Sequence, residues 1–531
     1  MLRRRHSIAV LLGVVALAVP SLAAATPKSD SIRIRKGLTL AQKRHWLKPA
    51  DTARYRSAVA LGLLDTTALP KARVAVIGSL LHEIGAQSGS YTAPRALALF
   101  SMLETNLTYM ETHVLPKSRI DIAGDDGVVY RWFGPQGFQF HPLANFGALN
   151  AAIAANDTDA IRGLATALVA RGVPRGAALR WEYYFPFGGG RPPWTSGMAQ
   201  AVAAQSLSRA GAVVGDVTLT QAATKSFAAV PGPLVQQLAE GPWIKLYSFD
   251  RLVVLNAQLQ AILSLEDYAA ATNDPNASAL AAAMTVAAQT LLPQFDTGSW
   301  SLYALGGVEA PLEYQRLVTQ QLLKLAQRTQ DPVWQSAASR FYAYTRQPPT
   351  VDVAPADAPI PVYPQPADGY LDTAPVSFTL SKKSRVTLSA GGKTVTATLN
   401  RGPQTLVWKP GDLQPGTYTG QLTAVDLAGN RTTVPLPQPF VVAFDTEPPQ
   451  LQGSYADGVV SWQGVDPGTP KLQLRIDLQG GAGPQTVDLG SHSVSGTANV
   501  TLPSGTWQAT LTATNTAGKS TTIDLGTIVV P

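Results

Sequence analysis

The hydrophobic pattern of this 531-residue chain changes abruptly after Arg346, and this change constrains the fold more than any other feature. Before it, apolar residues recur at intervals of three and four, which is the period of an amphipathic helix. After it, short runs alternate between apolar and polar residues, which is the period of a half-buried strand. Because so long a chain needs more than one core, the sequence predicts a multidomain protein, first all-α and then all-β.

The region from residue 26 to residue 346 predicts a series of helices joined by short loops. Ala, Leu, Gln and Arg dominate its composition, and the helical period is clear in Ile77, Leu80, Leu81 and Ile84. Such helices pack as antiparallel hairpins. The pattern alone is compatible with an α/α barrel, or toroid, and with a stacked solenoid.

A repeat divides the β-rich part into two domains. The segments that begin at Gly416 and Leu422 recur at Gly505 and Leu511, an offset of 89 residues in both cases. A period of this size predicts a β-sandwich domain. The predicted parts are a stiff Pro-rich linker at 347–366 and two sandwiches at 367–445 and 446–531. The pattern resembles the immunoglobulin-like modules of exported bacterial enzymes, which implies spacers or weak glycan-adhesion units.

The first 25 residues predict a signal peptide. Three arginines at positions 3–5 precede an apolar run over 8–19 that is too short to span a bilayer, and Ala23–Ala25 fits a cleavage site. The protein is therefore expected to be secreted or associated with the cell surface, without an integral membrane segment. Cleavage removes three arginines and no acid, so the formal charge falls from +7 to +4. So mild a charge gives no reason to expect a nucleic-acid partner.

The composition argues against metal and thiol chemistry. The chain has no cysteine, and its six histidines are scattered without the spacing of a zinc site. Neither a metal nor another cofactor is expected.

Two aromatic islands interrupt the helical pattern, at Val128–His141 and Arg180–Trp194. They contain His141, Tyr184 and Trp194 as candidate sugar-binding residues. Aromatic faces pack on the apolar faces of pyranose rings, and arginine binds carboxylates through two hydrogen bonds. The same loops could equally serve to cover the end of the helical core.

Three segments, Phe185–Gln200, Trp243–Asn256 and Phe295–Leu322, stand in an order and spacing that resemble the C-terminal domain of the D-glucuronyl C5-epimerases. Those enzymes convert glucuronate to iduronate within heparan-type chains. The resemblance covers about residues 180–345. It implies an α/α barrel and an acidic polysaccharide or other glycan as partner. Asn256, in the second segment, joins the expected substrate contacts.

The resemblance implies catalytic roles for Tyr247, Tyr303 and Tyr314. Epimerisation at C5 removes a weakly acidic proton beside a carboxylate and returns one to the opposite face of the ring. A phenol, with an ordinary pKa of about 10, suits a carbon proton if a cation assists it. Lys245 and Arg191 are the preferred cations, which would also neutralise the substrate carboxylate.

The chain departs from the family at three positions near these tyrosines. Leu246 stands where the family has glutamate, and Gln315 and Val318 stand where it has histidines. Two alternatives to an epimerase therefore stay open. One is a non-catalytic glycan-binding or adhesion protein, and the other is a uronan lyase, which shares the first proton transfer.

The predicted helix order also places the three tyrosines. Tyr247 and Tyr314 precede or open a helix, and Tyr303 follows the end of the helix between them. In antiparallel hairpins these positions lie at one end of the scaffold. We therefore expect the tyrosines to converge on one groove, with a cation beside them and the segment Trp181–Trp194 as a wall.

Overall fold

The computed structural model describes residues 26–355, 358–480 and 483–531. It divides the chain into two compact units, Met1–Ala343 and Tyr344–Pro531. The predicted signal peptide, residues 1–25, lies outside the described residues. The first unit is helical and the second consists of strands, so the predicted change from an all-α to an all-β part is confirmed.

Twelve α-helices occur in the described part of the chain. They are α1 Pro27–Lys43, α2 Pro49–Ala68, α3 Lys71–Ala86, α4 Ala93–Thr112, α5 Pro142–Ala154, α6 Thr158–Val169, α7 Gly197–Val214, α8 Val217–Phe227, α9 Leu255–Thr272, α10 Pro275–Phe295, α11 Leu312–Thr329 and α12 Pro332–Tyr344. None of these helices has both the length and the hydrophobicity that crossing a membrane requires.

Local sequence explains where helices α7 to α10 begin or end. The side chains of Ser196, Asp216 and Asp274 cap the first turns of α7, α8 and α10 by accepting backbone N–H bonds. Gly215 and Asn273 end α7 and α9 in the left-handed conformation. Because only two residues join α7 to α8 and α9 to α10, each pair must run antiparallel.

Helices α5, α7, α9 and α11 form one row, in which each packs on the next. Helices α6, α8 and α10 pack against α5, α7 and α9 respectively and form a second layer. Since the members of the row alternate with antiparallel partners, the first turns of α7, α9 and α11 lie at the same end of the row.

Short strands precede three of the row helices. They are β1 Asp121–Ala123, β2 Val129–Trp132 and β3 Phe138–Phe140 before α5, β4 Val173–Arg175 and β5 Ala178–Arg180 before α7, and β6 Val235–Leu238 and β7 Gly241–Ile244 before α9. All three groups pair antiparallel. They hold the aromatic islands at the end of the row where the helices begin.

The described residues of the second unit form five sheets. Its strands are β8 Val351–Val353, β9 Ile360–Val362, β10 Ala374–Leu380, β11 Ser384–Ala390, β12 Lys393–Leu399, β13 Gly402–Trp408, β14 Gly416–Tyr418, β15 Gly420–Asp426, β16 Arg431–Pro435, β17 Phe440–Val442, β18 Gln450–Ala456, β19 Val459–Val465, β20 Lys471–Gln479, β21 Gln485–Ser493, β22 Gly496–Asn499, β23 Gly505–Thr514 and β24 Ser520–Val530. The sheet orders are β13-β10-β8, β12-β11-β15-β16, β14-β17-β9, β18-β19-β22 and β21-β20-β23-β24. Two separate apolar clusters fill this unit, one around Trp408 and one around Trp462 and Trp507.

The Pro-rich segment 347–366 is not the linker that the sequence predicted. Its residues form β8, which pairs with β10, and β9, which pairs parallel with β17. Both strands lie at the edge of their sheets. An edge strand tolerates proline because one of its sides donates no ladder hydrogen bond, and this explains how Pro361 is accommodated within β9.

Candidate active site

Three tyrosines from separate segments meet at the end of the helix row. Tyr247 follows β7, Tyr303 lies between α10 and α11, and Tyr314 is in the first turn of α11. The rings of Tyr303 and Tyr314 meet edge to face, with centroids 5.0 Å apart, and their hydroxyls share a hydrogen bond. Tyr247 interacts electrostatically with both. We call these three residues the tyrosine cluster.

The loop that carries Tyr303 is fixed at several points. Its backbone forms bridges between Asp296 and Ser301 and between Ala304 and Val254. The buried side chain of Gln315 accepts the N–H of Ser301 at 2.9 Å and donates to the carbonyl of Phe341 at 3.0 Å. Gln315, which replaces a family histidine, therefore ties this loop to α11 and α12.

The other two departures from the family lie in the apolar interior. Leu246 and Val318 are buried, with 1% and 2% of their surface exposed. Neither supplies a titratable group. Any acid–base chemistry here must therefore come from other side chains.

Aromatic residues of the second island surround Tyr247. Phe187 and Trp194 meet its ring edge to face at 5.4 and 5.3 Å, and Phe249 stacks on it at 5.3 Å. Gly190 makes this packing possible, because a Cβ at its position would lie 2.2 Å from the ring of Phe249.

The predicted wall is present only at its Trp194 end. Trp194 stacks on Tyr183 at 4.0 Å and donates its indole N–H to the carbonyl of Phe185. Trp181 instead packs edge to face on Phe146 in the helical core and donates to the carbonyl of Leu168.

A cation that the sequence reading missed lies beside the cluster. Half-buried Arg119, two residues before β1, interacts electrostatically with Tyr314. Burial lowers the pKa of its guanidinium and the charge of Arg131 lowers it further, whereas Tyr314 and Asp121 raise it. Arg131 itself makes a bidentate ion pair with Asp121, with both bonds at 2.7 Å. Nothing in the sequence around Arg119 marks it, because a solvated surface arginine has the same appearance.

The two cations that the sequence favoured have different surroundings. Lys245 interacts with Asp250, where its charge lowers the carboxyl pKa that burial raises. Arg191 is exposed, and among the described residues no contact links it to the tyrosine cluster.

The carboxylate of Asp250 interacts electrostatically with two tyrosines of the cluster. The pKa of Tyr303 is raised to about 12, mainly by burial and also by Asp250, while the hydrogen bond with Tyr314 acts in the opposite direction. Burial likewise raises the pKa of Tyr247, and Tyr303, Tyr314 and Asp250 add to that shift. Tyr247 and Tyr303 are thus protonated in the resting protein, since both phenols keep their protons well above neutral pH.

His141 lies close to the same arginines. It caps α5 by accepting the N–H of Ala144 at Nδ1, so its neutral ring carries the proton on Nε2. Burial holds the pKa of His141 well below its usual range, and the charges of Arg131 and Arg119 act in the same direction. The Nε2 atom is buried without a hydrogen-bond partner in the described part of the chain.

The remaining two expected substrate contacts, Tyr184 and Asn256, are buried. Tyr184 is buried beside the bidentate Arg95–Glu182 ion pair, whose bonds are both 2.8 Å long. Asn256 is buried in the first turn of α9, where its carbonyl accepts a bond from Gln321.

No group of three or more metal-binding side chains occurs among the described residues.

One family model matches part of the helical unit. Residues 175–343 match the family model described as D-glucuronyl C5-epimerase C-terminus. The resemblance that the sequence motifs indicated is thereby confirmed for this part of the chain. No curated protein matches it.

Several solved structures are similar to parts of the chain. Unsaturated glucuronyl hydrolase from Bacillus sp. GL1 is 12% identical, with coverage of 60% of this chain and 84% of that chain and a TM-score of 0.27. Cellobiose 2-epimerase from Bacillus thermoamylovorans B4167 is 11% identical, with coverage of 52% and 73% and a TM-score of 0.34. The fibronectin(III)-like modules of Clostridium thermocellum CbhA are 14% identical, with coverage of 34% and 94% and a TM-score of 0.18. At these scores we base no argument on the likenesses.

Proposed function

We propose that this protein is an exported epimerase that inverts C5 of uronate residues in an acidic polysaccharide. The observation that carries the proposal is the tyrosine cluster, in which a cation, Arg119, interacts with Tyr314 and a carboxylate, Asp250, interacts with Tyr303. The helical unit is then an α/α barrel, and the second unit is a pair of immunoglobulin-like sandwiches that act as spacers or weak adhesion units. Export depends on the signal peptide at residues 1–25.

The charges beside the cluster assign the two proton-transfer roles. Tyr314 faces Arg119, and a cation favours the phenolate, so Tyr314 is the base that takes the C5 proton. Tyr247 keeps its proton, because burial and Asp250 disfavour its phenolate, so it is the acid that protonates C5 from the opposite face. Tyr303 is hydrogen-bonded to Tyr314, and it passes the proton that Tyr314 has taken back to Tyr247, which restores the starting state.

Arg119 takes the role that the sequence reading gave to Lys245 and Arg191. A uronate carboxylate resists the second negative charge that develops when C5 loses its proton. A guanidinium can bind that carboxylate through two hydrogen bonds and spread the new charge. The neutral Nε2–H of His141, buried near the same arginine, is a second donor for the substrate.

The test is isotope exchange in heavy water with the full chain and a panel of uronans. Unsulfated heparosan, alginate and polygalacturonate cover the common uronate configurations. Deuterium at C5 together with the inverted sugar is the expected result for at least one polymer. Exchange absent from the whole panel would overturn the proposal.

A non-catalytic glycan-binding protein is the second candidate, and one observation favours it. All three family positions that changed are now structural, since Leu246 and Val318 are buried and Gln315 pins a loop. This candidate predicts saturable binding of a uronan without deuterium uptake. A lyase would instead produce an unsaturated sugar that absorbs in the near ultraviolet, which the same samples would reveal.

A further inference from the structure

A cavity of about 720 Å³ opens between α7, α9 and α11. Its lining comes from the middle and the C-terminal half of these helices, whereas the tyrosine cluster lies where α9 and α11 begin. Tyr314 and Arg328 mark the two sites on α11, and at about 1.5 Å per residue they are roughly 20 Å apart. The cavity is therefore separate from the candidate active site.

The cavity wall carries uncompensated positive charge. Arg328 is neutralised by Asp267 at 2.8 Å and by Glu266 at 3.3 Å. Arg209, by contrast, donates to the neutral amide of Asn150 at 3.0 Å. In the described part of the chain, no carboxylate lies within ion-pair distance of Arg209 or Lys324. The lining of the cavity thus includes one such cation on α7 and one on α11.

The polar side chains between these cations are held in place. Buried Gln205 accepts bonds from Asn150 and Ser264 and donates to Asp267. Gln260 donates to Ser264 at 3.1 Å. A cavity whose hydrogen-bonding groups are fixed before binding loses little entropy when a ligand enters.

An apolar strip of α9 completes the cavity, with Leu263 and Ala270 on its surface. Pyranose rings present an apolar face together with hydroxyls at the ring edge. Amides beside a small apolar strip match both features, and the volume is in the range of about 300–1,000 Å³ that holds small ligands. A simple inorganic anion would use only the cations.

We propose that this cavity is a second binding site, for an acidic saccharide whose carboxylate lies between Arg209 and Lys324. The anionic character of the ligand follows from the cavity, while its identity as a uronan rests on the proposed function. A polymer bound here and at the tyrosine cluster gains affinity through the high effective concentration of the second segment.

Calorimetric titration of the full chain tests this site with a heparosan tetrasaccharide as probe. The Arg119→Gln background weakens the site at the tyrosines, so the binding that remains reports the cavity. Adding Arg209→Gln and Lys324→Gln is expected to lower the remaining affinity at least tenfold. Lys225→Gln, an exposed lysine on α8, is the matched control and should leave it unchanged.

Two further arms keep the result interpretable. Reduction of its carboxylates should weaken the binding of the tetrasaccharide to the Arg119→Gln protein. The remaining affinity should be no higher than that of the intact probe for the protein that also carries Arg209→Gln and Lys324→Gln. Lys324→Gln alone changes an exposed side chain and should still lower the affinity several-fold, even if the multiple variant does not fold. Equal affinity of the cavity variants and the Lys225→Gln control would overturn the proposal, as would the absence of any binding in the Arg119→Gln background.

The binding test of the cavity does not depend on whether the protein exchanges C5 of a uronan. If no uronan shows exchange at C5 but the cavity binds the probe, the proposed function fails and the second site stands. If exchange occurs but the cavity substitutions leave binding intact, the second site fails and the proposed function stands.

Discussion

Tyr247 and Tyr314 lie in one cluster but in unlike electrostatic surroundings. Arg119 interacts with Tyr314, whereas Asp250 acts on Tyr247 and Tyr303. Such a difference lets chemically identical groups act as base and acid at the same pH. Neither Arg119 nor Asp250 belongs to the residues that the family resemblance singled out.

Replacing Arg119 tests the electrostatic part of this account. Arg119→Gln is expected to lower the rate of C5 exchange by about 10²-fold or more, the size typical of removing one stabiliser of developing charge. Arg316→Gln serves as the control, because Arg316 is exposed although it is two residues from Tyr314. Equal exchange rates for the two variants would remove Arg119 from the mechanism.

The raised phenol pKa values predict alkaline destabilisation of the helical unit. A folded-state pKa of about 12 for Tyr303 exceeds the ordinary value of about 10, so the folded protein holds this proton more tightly than the unfolded chain. Stability is therefore unaffected below about pH 10 and falls as the pH rises towards 12. Thermal unfolding between pH 8 and pH 12 should show this fall, and Tyr303→Phe should make it shallower. An unchanged slope would contradict the burial of this hydroxyl.

At the scale of elements, the Tyr303 loop depends on one buried amide. Gln315→Leu removes the acceptor of the Ser301 N–H, and an unsatisfied buried group costs about 1–3 kcal/mol. We expect a lower free energy of unfolding and a slower exchange reaction. Gln320→Leu, at an exposed position of the same helix, is the control for denaturant unfolding. A Gln315→Leu protein as stable as this control would show that the amide does not hold the loop.

The sequence predicts those helix bounds that depend on residues close together in the chain. Pro311 and Glu313 indicated the start of the helix that carries Tyr314, and α11 begins at Leu312. The helix after Tyr247 begins only at Leu255, because Val254 before it is held in a bridge to Ala304. Such a contact joins distant parts of the chain and leaves no local pattern.

The errors in the remaining elements have the same origin. The Pro-rich segment 347–366 became two edge strands because β10 and β17 were available to pair with it. The position of Arg119 near the tyrosine cluster depends on tertiary contacts, which leave no local pattern in the sequence.

At the scale of the whole molecule, the chain consists of two compact units. The helical unit ends at Ala343, and the two apolar clusters of the second unit draw only on residues from Val351 onward. We therefore expect residues 26–350 to fold alone and to keep the exchange activity, if the tyrosine cluster is the active site. Circular dichroism, thermal unfolding and the exchange assay would check this. An insoluble or inactive fragment would show that the second unit contributes to folding or to the site.

The central claim is that two tyrosines act on opposite faces of C5, and exchange measured separately from each epimer tests it most directly. In heavy water, Tyr314→Phe should lose exchange from glucuronate and from iduronate, because Tyr247 keeps its own proton when Tyr314 cannot accept it through Tyr303. Tyr247→Phe should lose exchange from iduronate but keep exchange from glucuronate, with retention of configuration, because Tyr314 remains. Native rates from both epimers in both variants, or equal losses from both epimers in both variants, would contradict the assignment of Tyr314 as base and Tyr247 as acid.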